Sequence, residues 1–160
     1  MTIGVRPAQV EDVHGIAEVH VKAWQETYAH LVPSEVLATM SVDQRERRWI
    51  EILSLSDSVT WVATDGGRIV GFATSGPGRD SDSPRELELP SIYVVASHYG
   101  SGAGQRLLDA ALGDLPAFLW VADDNPRARA FYSRNGFVPD GTTKVGPVAG
   151  TPVLEVRLVR

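Results

Sequence analysis

Between residues 10 and 28 the positions Val13, Ala17, His20, Val21, Trp24 and Tyr28 recur three or four apart, which predicts an amphipathic helix burying one stripe that ends in aromatic rings. Residues 3–6 before it read as a short strand ended by Pro7. Pro33 breaks the helical pattern, residues 34–40 suit a short helix, and Ser41 with Gln44 forms a capping-box signature for a further helix through Trp49, Ile50 and Leu53. The period then changes. Residues 59–64 and 68–74 are β-rich runs flanking Asp65-Gly66-Gly67, a hairpin signal. Residues 76–85 are loop by composition, and 86–95 read as a strand. A glycine-rich turn follows, then a helix whose apolar stripe is Leu107, Leu108, Ala111, Leu112 and Leu115, then a strand at 117–121; strand, helix, strand implies a right-handed parallel crossover. Asn125-Pro126 supplies an N-cap and a proline in the first helical position, and Gly136 ends that helix. Two closing strands are expected at 137–138 and 153–159. The alternation describes a mixed α/β sheet in a single domain spanning residues 1–160.

Charge and composition narrow the functions open to such a domain. A net charge of −5 argues against nucleic-acid binding, which needs a basic face, and fits a cationic acceptor better. The absence of cysteine removes thiol nucleophiles, disulfides and thiolate metal sites, and the four histidines show no metal spacing and read as surface or satisfied residues, so no metal is expected. The N-terminus lacks a signal-peptide pattern and no run approaches a membrane span, so no membrane association and a cytoplasmic location are expected. A homodimer is the prior for assembly.

The chemistry concentrates in Ser97-His98-Tyr99-Gly100-Ser101-Gly102-Ala103-Gly104-Gln105. A glycine-rich turn from strand to helix exposes amides at a positive helix end, which favours a phosphate. Two nucleotide motifs fail by inspection: Leu107 stands where a dinucleotide fingerprint needs glycine, and Gln105-Arg106 stands where a Walker-type loop needs Lys-Ser/Thr. The glycines alone leave a ligand-free connection equally open.

Three segments taken together carry more. Tyr99-Gly100-Ser101-Gly102-Ala103-Gly104, the preceding Glu88-Leu89-Pro90-Ser91-Ile92-Tyr93-Val94, and the following Asn125-Pro126 through Phe131-Tyr132 with Asn135-Gly136-Phe137 resemble, in order and spacing, the GNAT superfamily of N-acetyltransferases. The resemblance extends over nearly the whole chain. It implies a twisted, mostly antiparallel sheet flanked by helices, with parallel fourth and fifth strands splayed apart around acetyl-CoA. Ile92, Tyr93, Val94 and Val95 would line the pantetheine arm; Tyr99, Gly100, Ser101, Gly102, Ala103, Gly104 and Gln105 would hold the diphosphate; Asn125 would cap its helix and contact pantetheine. Tyr99 departs from the Arg or Gln usual there, which leaves the phosphates to amides and the helix end unless Arg106 compensates.

Acetyl transfer to an amine needs a neutral nucleophile, a donor for the developing oxyanion and a proton for the departing thiolate. By resemblance Tyr132 is the acid and Glu88 the general base, direct or through water; the plain readings are a core aromatic and a solvated strand residue. Pro90 cannot donate to a sheet ladder and predicts a bulge that would turn an amide toward the oxyanion. Trp24 and Tyr28 are expected to wall the acceptor pocket, with the core the commoner place for a residue like Trp24, and Asp80 and Asp82 to lie in a solvated loop. The expected reaction is direct attack of a primary amine, on a small molecule or peptide, without a covalent enzyme intermediate; the alternative is a noncatalytic acyl-CoA-binding regulatory module.

Overall fold

The computed structural model describes residues 2–160. In chain order it contains β1 (Ile3–Pro7), a 3-10 turn at Val10–Asp12, α1 (Val13–Thr27), α2 (Ser34–Ala38), α3 (Val42–Leu53), β2 (Val59–Asp65), β3 (Arg68–Pro77), β4 (Leu87–Val94), a 3-10 turn at Ala96–His98, α4 (Ala103–Leu112), β5 (Phe118–Ala122), α5 (Pro126–Arg134), β6 (Val138–Val148) and β7 (Thr151–Val159). The strands form one sheet in the order β1-β2-β3-β4-β5-β7-β6, antiparallel throughout except between β4 and β5. This is the expected architecture.

The local chemistry behaves as the residues dictate. Ser41 accepts the Gln44 amide at 3.2 Å and starts α3; Asn125 accepts the Ala128 amide at 3.2 Å, with Pro126 opening α5. Gly66 and Gly67, at φ 57° and 83°, make the β2–β3 turn that only a left-handed backbone allows. Three expectations are corrected. α4 begins at Ala103, so Gly104 and Gln105 lie in its first turn rather than in the loop. β3 runs on to Pro77, into the stretch read as loop. β6 extends from Val138 to Val148 instead of ending after two residues, because Pro139, Gly141, Gly146 and Pro147 disguise a largely exposed edge strand in which missing donors and side chains cost little.

Helices cover both faces. Gly71 of β3 backs onto Leu107 of α4, while its neighbour Phe72 packs its ring against Trp49 of α3 and His20 of α1. Phe72 and Trp49 are almost completely buried, each worth roughly 2–3 kcal/mol of removed apolar surface. A second, smaller cluster gathers Tyr28, Val32, Leu37, Ala122, Val148 and Val153, tying the end of α1 to the β6–β7 hairpin. Between the clusters lies the place where β4 and β5 part.

Candidate active site

β4 and β5 share a single parallel pair, Glu88 with Phe118. Beyond it the strands separate. Between the Gly76–Glu88 and Thr74–Ser91 pairs β4 carries one residue more than β3, so the bulge falls at Leu89-Pro90 as the proline predicts. After the bulge the Val95 amide donates to Val70 O at 3.0 Å; by antiparallel alternation Tyr93 faces β3 while Ile92 and Val94 present their amides and carbonyls to the open side. The result is a cleft of about 920 Å³ whose walls include Ile92, Val94, Gly100, Gly104, Asn125 and Tyr132.

One end of the cleft is made of backbone. Gly100 and Gly102 sit at φ 76° and 87°, conformations that need glycine, and they deliver the chain into the start of α4. Gly104 has no such need: a Cβ there would meet nothing nearer than the Phe131 ring at 3.8 Å. Among the described residues the amides of Gly100, Gly104 and Gln105 find no protein acceptor outside the helix, so the first turn of α4 offers free donors at a positive helix end. The Gln105 side chain turns away to Asn135 and Asp109. Arg106 does not compensate for Tyr99, because it donates to the carbonyl of Ile3 on β1. A cation arrives from elsewhere: the Arg127 guanidinium of α5 lies 3.2 Å from the Tyr99 ring centroid, bridging the two sides of the cleft mouth. Ser101 spends its hydroxyl on His98 O at 2.6 Å, and Val95 is buried, so neither side chain belongs to the cleft wall.

The middle of the cleft is phenolic. The Tyr28 and Tyr93 hydroxyls are 2.8 Å apart, and Tyr132, buried against Phe131 and Phe137, has no hydrogen-bond partner among the described residues. Burial raises the pKa of all three hydroxyls, helped at Tyr93 and Tyr132 by Tyr28, so Tyr132 stays protonated.

Glu88 is neither solvated nor free. It is 1 % exposed, Oε1 accepts from the Arg79 amide and Nε at 3.0 Å each, and Oε2 accepts from Arg79 Nη2 at 2.8 Å. Both oxygens are thus engaged by Arg79, and burial keeps the carboxylate from water. Asp80 is half-buried and accepts from Trp120 Nε1 at 2.8 Å, while Asp82 stays exposed as expected and pairs with Arg157 at 3.3 Å, so the loop before β4 is tied to β5 and β7.

Other residues stand behind the cleft wall at Tyr28. Glu155 of β7 stands opposite Ala122 of β5, accepts no hydrogen bond among the described residues, and pairs with Lys144 at 3.9 Å. Burial raises its pKa against the pull of Lys144 and Arg79, and its charge reaches Tyr28. Trp24 stacks edge-on with Tyr28 at 5.4 Å and lies beneath Arg45 of α3. His14, His30 and His98 pair with carboxylates, but His20 is buried among rings, and burial with the nearby Arg45 lowers its pKa to about 3. The spacing His20, Trp24, Tyr28 was visible as one helical face; what that face meets was not.

The family model described as "Acetyltransferase (GNAT) family" matches residues 18–137. The N-acetyltransferase YuaI of Bacillus subtilis, itself uncharacterised, is 34% identical over 131 residues, 78% of this chain and 74% of that protein. An L-amino acid N-acyltransferase of Escherichia coli, MnaT, is 27% identical over 113 residues, 70% of this chain and 62% of its own. The structure of yncA from Salmonella typhimurium with its cofactor acetyl-CoA superposes with a TM-score of 0.72 at 22% identity, covering 100% of this chain and 94% of that one.

Proposed function

The chain belongs to the GNAT family of acetyltransferases, and from that premise we propose that it transfers an acetyl group from acetyl-CoA to a small primary amine by direct attack. The observation that carries the reading is the unpartnered Tyr132 hydroxyl at a cleft with free α4 amides at one end and an unpaired β4 edge along its side. The residues fit the cofactor: backbone carbonyls and amides of Ile92 and Val94 suit an amide-bearing arm, and the bare Gly104 with its neighbouring amides suits a diphosphate. Arg127, held over Tyr99, supplies the positive charge missing from the loop.

Bound acetyl-CoA supplies an electrophilic carbonyl carbon and a thiolate leaving group. The amine forms its bond to that carbon as the carbon–sulfur bond breaks, and a β4 amide at Ile92 donates to the oxygen where charge develops. Tyr132 gives its proton to the sulfur, its raised pKa keeping that proton available at neutral pH. Glu155, rather than the locked Glu88, takes the proton the ammonium must lose, since a half-buried carboxylate with a raised pKa is the better base. Glu88 then holds Arg79 and the loop before β4 in place.

MnaT, named for L-amino acid acylation, supports a small-molecule acceptor. The engagement of Glu88 favours the noncatalytic alternative, in which the cleft binds acyl-CoA without turnover. Free coenzyme A thiol released by purified protein from acetyl-CoA over a panel of primary amines separates the two. Acceptor-dependent release, about 100-fold lower in Glu155→Gln, is expected; tight acetyl-CoA binding with no release across the panel overturns the enzyme reading.

A further inference from the structure

Arg45 is a half-buried cation with nothing to hold. Its guanidinium lies 5.1 Å from the centre of the Trp24 ring, and among the described residues it donates no side-chain hydrogen bond and has no carboxylate within ion-pair distance. On the same helix the exposed Arg48 pairs with Glu51 at 2.7 Å. Burial lowers the pKa of Arg45, as expected for a charge removed from water without a counter-ion. The loss is a standing cost unless an anion arrives.

The surroundings share the same deficit. Trp49 Nε1, which can only donate, bonds to His20 Nδ1 at 3.0 Å; neutral His20 therefore carries its proton on Nε2, and that buried donor has no acceptor. Trp24 Nε1 is likewise buried, and it faces the Tyr93 hydroxyl without closing a well-formed hydrogen bond. His20 and Trp24 are one turn apart on α1 with rings 5.0 Å apart, both rings within 6.2 Å of Tyr93, whose hydroxyl meets Tyr28 at the cleft. Two buried hydrogen-bond donors and one positive charge thus collect behind Tyr28 and Tyr93, the phenols that line the cleft, with no acidic side chain among them. Buried donors in native proteins are nearly always satisfied, so a cluster of orphans points to a missing acceptor. The half-buried carboxylate of Glu155, held only by a long contact to Lys144, stands instead near Tyr28, where it suits an ammonium.

We propose that Arg45, on its bed of Trp24 and His20, is the anchor for a carboxylate on the acceptor, so that the amine acetylated here belongs to an amino acid. This rests on the acetyltransferase reading above but names a binding site that can be measured without turnover. The carboxylate takes the Arg45 charge, and the ammonium is left toward Tyr28 and Glu155. Plain alkylamines, polyamines and amino acid amides lack the group that Arg45 requires.

The test pairs free L-amino acids with their carboxamides. In coenzyme A release assays kcat/KM is expected to favour acids over the matching amides about 30-fold. Arg45→Met raises the KM for the acids by a similar factor while leaving KM for acetyl-CoA and turnover of the amides as they were. Because the substitution removes an unpaired buried charge, Arg45→Met also melts at or above the parent temperature, a result that a structural role for Arg45 does not give. Arg45→Lys restores part of the acid preference. Equal use of acids and amides by the parent protein, or equal losses on both in Arg45→Met, overturns the proposal while leaving acetyl transfer intact. Calorimetric binding of the same acids and amides to the cofactor-free protein is the second readout. Acid binding that vanishes in Arg45→Met, with no acetyl transfer to any amine, upholds the carboxylate site and defeats the enzyme reading.

Discussion

The two halves of the cleft are built from different materials. The end at α4 is backbone: glycines at positive φ, free helix amides, an unpaired strand edge, and one cation parked on Tyr99. The end at α1, α3 and β7 is side chains: Arg45, His20, Trp24, Tyr28, Tyr93 and Glu155, brought from segments more than a hundred residues apart. In the proposed reading backbone would hold the cofactor, because amides are indifferent to the side chains around them. Side-chain recognition is free to differ between relatives, and it carries charge whose protonation responds to burial. The donor end is therefore expected to fail when backbone is obstructed, the acceptor end when a single ionisable group is altered.

The largest effect should come from obstructing the backbone. Gly104→Val adds a side chain whose Cβ meets only ordinary contact with Phe131, so the protein keeps its melting temperature within a few degrees while acetyl-CoA affinity falls about 100-fold by calorimetry. Unchanged affinity would mean that the α4 amides hold nothing. Next, Tyr132→Phe is expected to lower kcat by about 100-fold with acetyl-CoA affinity unchanged, in stopped assays with saturating acceptor. An equal loss of affinity would move Tyr132 from the chemistry to the cofactor's bed.

A pH effect sharpens the contrast from the acceptor side. Neutral His20 has a pKa of about 3 in the folded protein against 6.5 when unfolded. Between these values the unfolded chain binds the extra proton, so stability is complete above pH 6.5 and declines as pH falls toward 3, by up to about 4 kcal/mol. His20→Asn should flatten thermal-melt curves in that window; a parent protein with no slope there contradicts the buried neutral imidazole. The smallest effect belongs to Arg127, an exposed cation. Arg127→Ala should raise the KM for acetyl-CoA about threefold at low salt and less at high salt.

Most of the donor end was legible along the chain because its signals are local. Gly100 and Gly102 mark positive φ, Asn125-Pro126 marks a helix start, and Pro90 marks a bulge, each within a few residues of the structure it causes. Glu88 shows the limit of that reading. Its place on β4 was right, but whether its carboxylate was free depended on Arg79, which a turn of the loop swings back onto it. Tyr99 shows the opposite case, since the absence of Arg or Gln was plain while the cation that stacks on it, Arg127, lies across the cleft on another element.

By itself the sequence determined the order of helices and strands, the mixed sheet and the glycine turn into α4, because periodicity, capping and backbone freedom act over a few residues. Only the tertiary structure decided which charges lose water without gaining a hydrogen bond. Arg45 and Glu155 look like any other Arg and Glu along the chain, and they become distinctive through what burial withholds from them: water, and among the described residues a hydrogen-bonding partner.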